Sequence, residues 1–302
     1  MNYFDMRTIV LSYMITNVVC VWFIMLLWRQ NRRRFAGTTF WAVDFVFQAV
    51  ALFLIVMRGT IPDWMSIVFS NTLVIVGAIL GLMGYERFVG KRGPQIHNYF
   101  LVIIFIVIQS YFFIVQPNLK ARSLNIAVAL LLVCFQAVWL MWRRIDPGMR
   151  SMTFGVGAVN FLYCLVSCAR IAYYFVTPNV GSNYFQPALF EALVLVFYQV
   201  TFILLTYSIV LMVNKRLIME VGAQEVVLRE GKEKARLERD QIELILKTAQ
   251  DGFWLVDAST GHLVEVNEAA SSMLGYTREE LLTRGLADID AQWSPEELGR
   301  EM

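Results

Sequence analysis

The sequence predicts a mainly α fold: a polytopic seven-helix transmembrane bundle over residues 1–213, a cytoplasmic helix over 214–247, and part of a small α+β unit over 248–302. Three observations predict it. The 302-residue chain is 58% hydrophobic and 17% charged, whereas soluble domains average about 45–50% apolar and about 25% charged. Seven apolar stretches each come close to the roughly 20 residues a helix needs to cross a bilayer. From about residue 214 the composition turns to Glu, Lys and Arg, so lipid gives way to water as the solvent. The formal net charge of +2 says little, because the charges are unevenly placed.

The seven stretches are Thr8–Trp28, Thr39–Met57, Met65–Tyr85, Asn98–Val115, Ser123–Trp142, Ser151–Val176 and Pro187–Val213. Loop chemistry separates them: an Arg-rich run after Trp28, Gly59 with Pro62, Gly93-Pro94, Pro117-Asn118, Pro147-Gly148, and Pro178-Asn179 with Gly181. The first stretch is too long for a signal-peptide core, and its positive cluster follows it rather than precedes it. Trp28, Trp41, Trp64, Trp139 and Trp142 sit near span ends, where an aromatic belt places them.

Orientation follows from Lys and Arg in the short loops. Twelve lie after odd-numbered spans, from Arg29 through Arg87 and Arg143 to Arg216, against four on the other side, Arg7, Arg58, Lys120 and Arg122. The N-terminus is expected outside and the tail in the cytoplasm.

Residues 214–247 run without proline. Val221, Leu228, Ala235 and Ile242 recur every seven residues as a coiled-coil seam does, while the matching Leu217, Gln224, Gly231, Glu238 and Ile245 are mostly poor core residues. A weak parallel two-stranded coiled coil, and so a homodimer through this helix, is the expectation. A solvated helix without a partner is the alternative.

Beyond it, Gly252–Asp257 and His262–Val266 flank a turn and form a hairpin signal. Asn267 is placed to cap a short helix closed by Gly275, and Thr277-Arg-Glu-Glu280 is a capping box. Ser294-Pro-Glu-Glu297 is another, with Pro in the first turn. The run ILKTAQDGFWLVDASTGHLVEVNEAASSMLGYTREELL resembles the opening of a PAS domain over about residues 242–290. The resemblance implies two strands followed by short helices, with the later strands of the sheet beyond Met302. The chain is accordingly expected to be a fragment or truncated form of a longer receptor. The membrane half, over roughly residues 5–215, more loosely resembles N-terminal sensor regions of bacterial diguanylate cyclases and sensor histidine kinases. It implies a bacterial inner-membrane receptor that passes an external or membrane-borne cue to a cytoplasmic output.

Candidate chemistry is sparse. The four cysteines, Cys20, Cys134, Cys164 and Cys168, lie in apolar stretches without metal or disulfide spacing. No span holds a lysine for a retinal Schiff base, and the two histidines, His97 and His262, do not lie deep in a span to hold a haem. No cyclase, kinase or flavin motif is present. The expectations are therefore no catalytic residue, no metal, no cofactor and no nucleic-acid partner. The lipid bilayer and a small ligand are the expected partners besides a second copy.

Ionisable groups inside a bilayer are costly and face the bundle interior. Arg170 lies about 9 Å from the end of the sixth span at 1.5 Å per residue, and Glu191 sits at similar depth on the seventh. An outward-facing pocket of Arg58, Arg170, Glu191, Tyr173, Tyr174 and Tyr184 is expected, beside the simpler alternative in which Arg170 and Glu191 only neutralise each other. A second polar group, Asp44 and Gln48 on one face of the second span with Gln136 and Asn160 as partners, is expected in the inner half. A transporter or channel with a regulatory tail is the competing architecture, but neither an internal repeat nor mid-span prolines support it.

Overall fold

The computed structural model describes residues 6–176 and 189–289. The chain divides into two compact units, residues 1–218 and 219–302.

The first unit holds seven helices long and apolar enough to cross a membrane. They are α1 (Met6–Asn31), α2 (Thr38–Val56), α3 (Ser70–Phe88), α4 (Ile96–Ile114), α5 (Leu119–Trp139), α6 (Pro147–Val176) and α7 (Leu189–Thr248). A π-helical turn, Met65–Phe69, leads into α3, and a second, Leu140–Arg144, extends α5. Thr153 of α6 donates its hydroxyl hydrogen to the carbonyl of Met141 within that second turn. Three sequence expectations shift by about a turn. α5 begins at Leu119 rather than Ser123, because Asn118 caps it by accepting from the Ala121 amide. α6 begins at Pro147, where a missing N–H costs a helix nothing. α7 does not stop at Val213 but continues to Thr248, so the seventh span and the connector are one helix. Tyr184, Pro187, Pro178-Asn179 with Gly181, and the Ser294 capping box lie outside the described residues.

The bundle core is built from Ile24, Trp41, Phe45, Ile75, Phe88, Phe105, Val156, Ile209 and Met212, all essentially inaccessible. Its outer surface is also apolar. Ile15, Val18, Val19 and Trp22 of α1 and Phe100, Ile103, Ile104 and Val107 of α4 point away from the core. Helices with hydrocarbon as solvent have this character, because the chain gains nothing by hiding such side chains.

Helices α2 and α3 approach most closely along glycine. A Cβ on Gly77 would lie 2.7 Å from Asp44 Oδ1, and one on Gly81 would lie 2.6 Å from Asp44 Oδ2. Gly84 likewise receives the Trp41 indole. Gly37, at φ 104°, opens α2 in a left-handed conformation that an L side chain rarely adopts. At the other end of the bundle, Arg216 donates to the carbonyl of Phe88 and lies over the rings of Phe35 and Phe88. Lys215 donates to the Ser151 carbonyl over 3.2 Å.

In the second unit, strands β1 (Trp254–Val256) and β2 (Leu263–Val266) pair antiparallel, with Trp254 opposite Val266 and Leu255 opposite Glu265. Helices α8 (Glu268–Leu274) and α9 (Arg278–Leu281) follow. Asn267 is 8% exposed and joins the unit together. Its Oδ1 accepts from the amides of Phe253 (2.8 Å) and Ala270 (2.9 Å), and its Nδ2 donates to the carbonyls of Leu246 (3.1 Å) and Asp251 (3.0 Å). Gly275 closes α8 at φ 74°, and Thr277 with Glu280 forms the reciprocal capping box of α9. Leu263, Val266, Ala270 and Leu281 make a small core beneath the hairpin.

Candidate functional site

Alternating chain direction brings the end of α2, the start of α5, the end of α6 and the start of α7 to one end of the bundle. Three guanidinium groups gather there: Arg58 just past α2, Arg122 in the first turn of α5 and Arg170 two turns before the end of α6. All three line a cavity of about 170 Å³ that reaches inward to Asp44. Its walls include Leu52, Ile55, Ile126, Leu130 and Val133. Helix α7 contributes Leu195, Tyr198, Phe202 and Leu205.

At the guanidinium end, Arg170 Nη2 donates to Glu191 Oε2 over 2.9 Å, with both side chains about one-tenth exposed. Glu191 Oε1 accepts from the hydroxyl of buried Tyr174, and Arg170 also lies 5.8 Å from the Tyr174 ring centroid. The carboxylate that opens α7 is thus held by two side chains of α6. Arg58 donates to the Ser66 carbonyl over 2.8 Å, which positions it beside the π turn before α3. Gln109 of α4 is completely buried; its Oε1 accepts from Asn125 over 3.2 Å, while its Nε2 has no hydrogen-bond partner. The Nε of Arg122 and the hydroxyl of Tyr198 are likewise buried without a partner.

At the other end, Gln48 donates to Asp44 Oδ1 (3.0 Å) and to the Val74 carbonyl (3.1 Å), tying α2 to α3. The glycines of α3 let the Asp44 carboxylate lie against backbone rather than side chains.

The two groups of candidate residues expected from the sequence therefore fall differently from the expectation. Arg58, Arg170, Asp44, Gln48 and Asn160 line the same cavity. Tyr174 and Glu191 support it through Arg170. Tyr173 does not line it; its ring stacks on Phe190 at 4.0 Å between centroids. Tyr184 lies outside the described residues. Gln136 is not a partner of Asp44. It belongs to a separate polar chain, in which His97 Nε2 lies 2.7 Å from Gln136 Oε1 and Gln136 Nε2 donates to Asn98 Oδ1. Asn98 in turn donates to Gln95, and Gln95 to Glu86. Asn160 donates back to the Val156 carbonyl of its own helix, not to Asp44. Position on a helix gives depth but not azimuth, and the azimuth of Gln136 points it toward α4. Sequence reasoning missed Arg122, counted as a loop cation because the start of α5 was placed one residue beyond it. Gln109 and Tyr198 were also missed, since neither carries charge.

Among the described residues, no group of three His, Cys, Asp or Glu side chains could hold a metal ion.

One comparison with known proteins bears on the second unit. Residues 240–301 match the PAS domain family. The match takes in the end of α7, the hairpin, α8 and α9. No curated protein and no solved structure matches the chain.

Proposed function

We propose that this chain is a membrane-embedded receptor module. In this reading it senses an external or membrane-borne cue in the seven-helix bundle and relays it through α7 to a cytoplasmic PAS unit. The observation that carries the reading is the continuity of α7. The same helix forms a cavity wall through Tyr198 and Phe202, is tied at its start by Arg170 and Tyr174, and runs on to Thr248, inside the PAS match. A change in the cavity that moves α7 has an unbroken rod to act through. Its exit from the bundle, at Lys215 and Arg216, is held by carbonyls of α6 and α3, so a small displacement becomes a rotation or tilt about that point.

The bilayer surrounds the bundle in this reading, with the N-terminus outside and the tail inside a bacterial plasma membrane, as the Lys and Arg distribution requires. Two copies associate through the connector. Val221, Leu228 and Ile242 are each more than half exposed in the single chain, at the heptad spacing that a second copy would cover. Catalytic output belongs to a diguanylate cyclase or histidine kinase domain coupled to the PAS unit, not to the residues described here.

Cross-linking tests the reading. With the native cysteines replaced and Ile242→Cys introduced, the chain in membranes should form a disulfide dimer whose yield changes with stimulus. A reporter fused after Val213 should be active only in the cytoplasm. A periplasmic reporter, or a connector that never cross-links, would overturn it.

A further inference from the structure

The cavity is supplied with hydrogen-bond donors beyond what its own acceptors use. Gln109 Nε2, Arg122 Nε and the Tyr198 hydroxyl are buried and unpartnered, and all three residues line it. Buried donors left unmatched are destabilising, so sites that keep them are shaped for an acceptor. The charge agrees. Arg58, Arg122 and Arg170 face the same end, where the opposing carboxylates are Glu191, already engaged by Arg170, and exposed Asp63 near Arg122. Inward, the walls are aliphatic, with Leu52, Ile55, Ile126 and Val133. The far end carries Asp44, which repels a second anion and fixes the direction of anything that enters. Arg58 and Asp44 are about 21 Å apart along the helix axis at 1.5 Å per residue, enough for an extended aliphatic chain.

We infer that the cavity binds an amphipathic anion, its carboxylate or phosphate head on Arg58, Arg122 and Gln109 and its apolar tail directed toward Asp44. The inference deepens the receptor reading by naming the chemistry of the cue, and rests on it only for the consequence of binding, not for binding itself. A fatty acid and a lysophospholipid-like phosphate present the same head chemistry to guanidinium groups.

The experiment uses the full chain in nanodiscs of zwitterionic phosphatidylcholine. Dodecanoate and dodecyl phosphate are the probes, and dodecanol and dodecyltrimethylammonium are the same-tail controls. Either anion should bind at least tenfold more tightly than dodecanol, and the tighter of the two identifies the head. Arg122→Gln should weaken anion binding ten- to hundredfold, as the loss of a charge-assisted hydrogen bond does, and leave dodecanol unchanged. Gln109→Leu, which removes an uncharged donor, should weaken it less and retain the thermal transition of the unliganded protein. Equal binding of dodecanoate and dodecanol, or anion affinity untouched by both substitutions, overturns the inference, as does binding of none of the four. Anion binding that leaves the Ile242→Cys cross-link unchanged would instead sink the receptor reading and keep the site.

Discussion

Replacing Glu191 by Gln removes one charge from a buried ion pair and keeps its shape. Both side chains of the Arg170–Glu191 pair are about one-tenth exposed and meet at 2.9 Å, so little screening by solvent needs to be allowed for. Two charges about 4 Å apart attract by about 4 kcal/mol at an effective dielectric of about 20. Breaking a buried pair by removing one partner typically costs about 3–5 kcal/mol, because the survivor stays buried and uncompensated. Glu191→Gln is therefore expected to destabilise the bundle by about 3 kcal/mol, and Arg170→Met by a similar amount, since that change strands Glu191 with only the Tyr174 hydroxyl as donor. The double variant should cost less than the sum, with a coupling of at least about 1.5 kcal/mol. The assay is reversible unfolding in mixed micelles with rising anionic detergent, followed by tryptophan fluorescence. Additivity within about 0.5 kcal/mol would refute the assignment of a buried, energetically coupled pair.

Other expectations follow from the same geometry. Gly81→Leu should separate α2 from α3, because even its Cβ would stand 2.6 Å from the Asp44 carboxylate; overpacking of this kind costs about 1–3 kcal/mol, read in the same micelle assay, and an unchanged midpoint would count against the close approach. Asn267→Ala removes four hydrogen bonds within the second unit, so amide exchange at Phe253 and Ala270 in the full chain should accelerate at least tenfold, in line with a cap loss of about 1–2 kcal/mol. The Glu280 carboxyl is held below the ordinary range by the Thr277 amide, and Asp257 by the Ser259 hydroxyl and amide. Depressed folded-state values mean that their stabilisation is complete above the ordinary carboxylate range, about pH 4–4.5, and is lost as pH falls through the folded values. Protection at the hairpin turn and at the start of α9 should decline only under acid conditions, and Thr277→Ala should bring the decline at α9 to higher pH.

Much of the architecture is legible in the sequence, because hydrocarbon as solvent imposes a length and composition that few other structures share. The seven apolar stretches each correspond to a helix, and the caps at Asn267 and Thr277 form as their side-chain chemistry dictates. What the sequence does not display is rotation about each helix axis. Nearly every face of a span is apolar, so periodicity carries little signal there, and Gln136 and Asn160 could be assigned a depth but not a neighbour. The cavity escaped for a related reason: its unpartnered donors are a glutamine and a tyrosine, ordinary residues whose significance lies in what they fail to touch. Arg122 was hidden by a helix boundary, which is the least determinate feature of a span.

The wide turn at Leu140–Arg144 has a further consequence. It carries a surplus residue relative to α-helical winding, and Thr153 supplies a donor to one of the carbonyls that the wider winding releases. Deleting one residue there would restore the tighter coil and swing everything after it by about 100° at 3.6 residues per turn. Arg144, now beside Glu86 in a second hollow with His97, would be carried to another side of the helix. The segment is thus wound like a ratchet with a spare tooth, and the hydroxyl of one threonine is part of what keeps that tooth in place.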